Sequence, residues 1–173
     1  MLHDRHRICD YRHRHMQNLN IALAAIVLYL IASIRIAKPL AGKPIAGLDA
    51  KRQAIALLAT AAAAHGAVLY GTVFANSGVN LAIFNTASIA GWCIAASILL
   101  IMIWRPIDSL AVVIFPTIAV MIALAILFPS SHVLPPGTAP AIQLHIVLSI
   151  IAYALFAIAA VQAIYLGIAD YKL

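Results

Sequence analysis

Long apolar blocks broken by short polar interruptions dominate the chain. Five of them stand out, over residues 19–37, 54–75, 81–104, 107–128 and 141–169. A helix needs roughly 20 consecutive apolar residues to cross the hydrocarbon core of a bilayer, and each block reaches or nears that length. Lipid offers the backbone no hydrogen-bond partner, so continuous apolar runs of this length are helices. The pattern therefore predicts an all-α, polytopic transmembrane bundle of about five helices. The interruptions behave as connections. Residues 38–52 hold Pro39, Gly42, Pro44 and Gly47, residues 76–80 are a brief polar turn, and Arg105-Pro106 is a tight hinge. Residues 129–140 carry Pro135, Pro136, Gly137 and Pro140 and cannot be helical throughout. Pro116 falls in the middle of the fourth block, where a kink is expected.

Composition agrees. Of the 173 residues, 65% are hydrophobic and 9% charged, against roughly 25% charged in a soluble domain. There is too little polar surface to coat a globule. The net charge of +6 does not point to nucleic acid, because the basic residues sit at block ends rather than in a patch interleaved with aromatics. They read as topology signals. Lys38, Lys43, Lys51 and Arg52 follow the first block, Arg105 the third, and Lys172 the fifth, while the connections after the second and fourth blocks carry none. Basic loops stay cytoplasmic, so the second and fourth connections are expected outside and the C-terminus inside.

Residues 1–15 are different, holding four of the eleven basic residues and four of the seven histidines. They read as a metal-binding or anionic-lipid-binding arm, as a solvated tail, or as a stretch preceding a natural start at Met16. The last reading is favoured, because Arg5, Arg7, Arg12 and Arg14 would otherwise sit on the wrong side of the membrane. The expected division is a basic, His-rich tail over 1–15 and a membrane domain over 16–173.

Candidate chemistry is sparse. No paired carboxylates, nucleophile elbow, phosphate loop or zinc spacing occurs, and Asp49, Asp108 and Asp170 sit at helix ends. A non-enzymatic protein is expected. Ionisable residues inside membrane helices are costly and mark sites by default, which singles out His145 and His65. His145 leads a stripe with Ser149 and Tyr153 at helical spacing, and it reads either as a cofactor ligand or as a hydrogen bond to a neighbouring helix. His65 lies among Ala61, Ala62, Gly66 and Ala67, where the pair Ala62 and Gly66 permits close approach of a helix or a flat ligand. His132, in the Pro-rich connection, reads as solvated. Asn85, Ser88 and Trp92 share one helix face and read as interhelical glue; Trp92 and Trp104 also read as surfaces on which a cofactor could stack, with Trp104 favoured as an interface anchor.

The segment NLAIFNTASIAGW, the Pro-rich connection leading into PGTAPAIQLHIVLSIIAYALFAIAAVQAIYL, and the closing IADYKL resemble the cytochrome c assembly family, with its CcsA, ResC and HemX branches. The resemblance covers residue 16 to the C-terminus, more loosely before the third block. It implies a bacterial inner membrane protein of cytochrome c biogenesis that binds b-type haem without a covalent bond. His145 matches the histidine opening the helix after the Pro-rich connection and His65 is a weaker match, both as haem ligands. It implies haem and other membrane biogenesis proteins as partners. The tryptophan-rich haem-handling motif of the CcsA branch is absent, and members carry more helices, so the chain reads as an N-terminal portion whose C-terminal half is missing. Alternatives from other classes are a non-catalytic membrane scaffold or transport-accessory subunit, and a HemX-like regulator of haem synthesis.

Overall fold

The computed structural model describes residues 2–40, 47–74, 78–104, 108–135 and 137–171, with side chains described over 16–37, 51–74, 78–104, 110–135, 137–168 and 170–171. Five helices follow in order: α1 (Leu2–Leu40), α2 (Gly47–Val73), α3 (Ile83–Trp104), α4 (Asp108–Leu127) and α5 (Pro140–Tyr171). Within them, Met16–Ala37, Lys51–Val73, Ile83–Trp104, Leu110–Leu127 and Pro140–Ile168 are long and apolar enough to span. The chain is an all-α, multi-pass integral membrane protein.

Helix boundaries depart from the apolar blocks mainly at α1 and α2. The backbone of residues 2–15 continues α1 instead of forming a coil, and α1 runs through Pro39 to Leu40 before α2 begins at Gly47. Polar residues hold helical geometry where apolar periodicity cannot reveal it. The tail's side chains, residues 41–46 and the Arg105-Pro106 hinge lie outside the described residues.

Helices α1 to α4 close a ring in which each packs on its two sequence neighbours and α1 meets α4. Its core comes from small residues that let helix axes approach. Ala22, Ala25, Tyr29, Ala32 and Ile36 are buried along α1, at the alternating three- and four-residue spacing of one face. Against them lie Leu58 and Ala61 of α2, Ile98 and Met102 of α3, and Phe115, Ile118 and Ile122 of α4. Helix α5 stands outside the ring, docked on α3 with a minor contact to α4. Only 11% of its spanning window is buried, against 33–39% for the other four.

Pro116 lies inside a continuous α4. Proline has no N–H to give the carbonyl four residues before it, which here is that of Val112. Ser33 of α1 donates its hydroxyl to that carbonyl at 3.0 Å. The proline thus creates an acceptor that a neighbouring helix uses, which is how a membrane bundle tolerates a broken ladder.

Candidate functional site

Three groups of polar residues interrupt this apolar bundle. The first lies at the end where α2 joins α3 and α4 joins α5, called here the loop end. Asn80 ties the two connections together. Its Nδ2 donates to the Ser130 carbonyl at 3.1 Å, while its Oδ1 accepts from the amides of His132 at 2.8 Å and Ala82 at 3.2 Å. Backbone bonds from Leu81 N to His132 O and from Leu134 N to Val79 O extend the contact, around an antiparallel bridge between Asn80 and Val133. The His132 ring is exposed, as expected for a solvated loop histidine, although its backbone is anchored. Asn80 was readable from sequence only as part of a polar turn. Two of its three partners are about fifty residues away in the chain, and no local signal announces them.

The second group lies inside the ring. His65 is fully buried, and its Nε2 stands 2.9 Å from the Ser88 hydroxyl of α3. Tyr29 of α1, also fully buried, meets the imidazole edge-on with ring centroids 6.0 Å apart, and stacks on Phe115 of α4 at 5.6 Å. Tyr29 of α1 and Ser88 of α3 therefore meet the imidazole of α2, and α4 joins the group through Tyr29. Among the described residues, His65 Nδ1 and the Tyr29 hydroxyl have no hydrogen-bond partner. Asn85 is buried on the same face of α3 as Ser88. The interhelical bond favours the packing reading of His65. Tyr29 went unnoticed in the sequence because a tyrosine in an apolar run gives no sign of which way it points.

The small pair Ala62 and Gly66 is occupied by Trp92 of α3. The indole Nε1 donates to the Ala62 carbonyl at 2.8 Å, and a Cβ placed on Gly66 would meet that nitrogen at 3.3 Å. The close approach that the small residues permit is thus taken by a flat side chain of the protein itself. Beside it, Gly66, Leu69, Ile89, Trp92, Ile146 and Ile150 contribute to a cavity of about 570 Å³ bounded by α2, α3, α5 and the loop-end connections.

His145 makes up the third group. Helix α5 turns Ile150, Ala154 and Ile158 inward. At 3.6 residues per turn, His145 stands about 180° around the helix from Ala154, and its side chain is exposed. Ser149 is half-buried and Tyr153 is 72% exposed.

No family model, curated protein or solved structure matches this chain.

The geometry bears on haem directly. His65 is enclosed by Ser88, Tyr29 and its own helix neighbours, and it does not line the cavity, whose wall carries no histidine among the described residues. His145 points away from the bundle on a helix outside the ring. The two histidines are therefore not brought together, and a haem ligated by both does not fit. The His145 imidazole, by contrast, is exposed and has no hydrogen-bond partner among the described residues. Those residues hold no group of three or more His, Cys, Asp or Glu side chains able to share a metal ion.

Proposed function

We propose that this protein handles haem at the loop end of the bundle through His145, as a non-catalytic member of cytochrome c biogenesis in the bacterial inner membrane. The observation that supports the reading is the exposed imidazole on the outer face of α5, without a hydrogen-bond partner among the described residues. It lies five residues into the span Pro140–Ile168, a depth of about 7.5 Å at 1.5 Å per residue. Ionisable side chains at such depths are kept where they meet a partner. Bound haem would supply an iron centre for which a neutral imidazole nitrogen is a donor. This chain's contribution is to hold that ring clear of the bundle on a rigid helix. The resemblance to the cytochrome c assembly family supports haem as the group, and the absence of Lys and Arg from the described loop-end connections supports an outside location for this end.

The test is the visible spectrum of the protein purified in detergent from haem-supplied cells. A Soret band should be present, be lost in His145→Ala and persist in Ser88→Ala, which disturbs only the interior. Absence of the band, or a band unchanged in His145→Ala, overturns the reading.

A scaffold or transport-accessory subunit is the second reading, favoured by the 2.9 Å bond between His65 and Ser88, in which a membrane histidine serves helix packing. His145 would then bond a helix of another protein. In that case His145→Ala releases a co-purifying partner and leaves the spectrum unchanged.

A further inference from the structure

We propose that the cleft between α2 and α5 is a binding site for one hydrocarbon chain of a membrane lipid, entering sideways from the leaflet at the loop end. Helices α2 and α5 both pack on α3 but share at most a marginal contact with each other. Between them lies the cavity of about 570 Å³, a size at which pockets hold discrete ligands.

Its position fixes the route of entry. The walls come from the last turns of the α2 span, the first half of the α3 span and the first turns of the α5 span, so the cleft lies in one leaflet. Tyr70, Phe74 and Val147 line it and remain 73%, 60% and 52% exposed, which puts the mouth on the side, facing lipid. Toward the water, Val79, Leu81, Leu134 and Pro135 roof it, held in place by the Asn80 hydrogen bonds.

Its chemistry fixes the class of ligand. Among the described residues, no charged side chain lines the cleft. The Trp92 N–H is already given to Ala62, and the Gln143 amide donates to the Thr138 carbonyl at 2.9 Å. A site for a polar molecule presents free, converging donors and acceptors. This one presents the indole face, the Tyr70 and Phe74 rings and aliphatic side chains, with Gln143 and the Tyr70 hydroxyl as its polar side-chain groups, a lining that favours hydrocarbon. Tyr70 and Phe74, with ring centroids 5.9 Å apart at the end of α2, stand at the level where aromatic residues mark the membrane interface, so the lipid headgroup rests beside them. The proposal goes beyond haem handling and does not depend on His145.

The test uses the full chain in vesicles of phosphatidylcholine containing a trace of the same lipid with a diazirine midway along one acyl chain. After irradiation and digestion, adducts should concentrate on residues 66–74, 89–92 and 143–150, above the level at the lipid-facing Leu100 and Val120. Ile146→Phe and, separately, Ile89→Phe fill the cleft. Either should remove most of the adducts there, with labelling of Val120 unchanged. As a second readout, in Trp104→Phe the remaining Trp92 should be quenched by chain-brominated lipid and not by aqueous acrylamide. Even labelling of all lipid-facing positions, labelling indifferent to both fillers, or exclusion of the probe from the cleft by a covering protein each overturns the proposal.

Discussion

The hydroxyl of Ser33 sits 3.0 Å from the carbonyl of Val112, the one acceptor that Pro116 leaves without its helical amide. A buried acceptor without a donor costs about 1–3 kcal/mol, while a made bond is worth about 1 kcal/mol net. Ser33→Ala should therefore lower stability by about 1 kcal/mol, read as the shift in an unfolding titration with denaturing detergent. In a Pro116→Ala background the α4 ladder can supply its own donor, and the same substitution should cost markedly less. Equal costs in both backgrounds would show that Ser33 and Pro116 are not coupled.

Ser88 and His65 share one hydrogen bond, and the other ring nitrogen has no partner among the described residues. Removing the hydroxyl strands the whole imidazole. Ser88→Ala is expected to cost about 1–3 kcal/mol, above the average of about 0.6 kcal/mol for interhelical bonds in membranes. Ser88→Thr keeps the hydroxyl and should recover most of the loss. If Thr behaves as Ala does, the bond is not what stabilises the contact.

Asn80 closes the loop end with both ends of its amide. Asn80→Ala should expose the backbone of residues 129–139, seen as faster hydrogen exchange at the His132 and Leu81 amides and faster proteolysis there. Asn80→Asp keeps the acceptor and loses the bond to Ser130, so an intermediate effect is expected. Exchange unchanged in both variants would mean that the backbone bonds alone hold the connections.

Two glycines of similar sequence setting should respond differently to alanine. A Cβ on Gly71 would stand 2.7 Å from Asn18 Nδ2 of α1, whereas on Gly167 it meets nothing within 4 Å. Alanine favours a helix interior over glycine by up to about 1 kcal/mol. Gly167→Ala should be neutral or stabilising in the detergent titration, and Gly71→Ala less favourable because the Asn18 amide must swing aside. Matching shifts would contradict the close approach.

Five membrane helices were legible from sequence because block length against bilayer thickness is a one-dimensional property. The interior role of Asn85 and Ser88 was legible too, since polar side chains on an apolar helix must turn inward. Which histidine turned inward was not. His65 and His145 both sit in apolar runs, yet one is sealed among Tyr29 and Ser88 while the other stands on an open face. These helices are apolar on nearly every side, so hydrophobicity does not say which face meets protein and which meets lipid. Small residues, hydroxyls and the freed carbonyl of Val112 decide that by close packing and pairwise hydrogen bonds. Those contacts, made between residues far apart in the chain, closed the ring of α1 to α4, left α5 outside it, and opened the cleft beside Trp92.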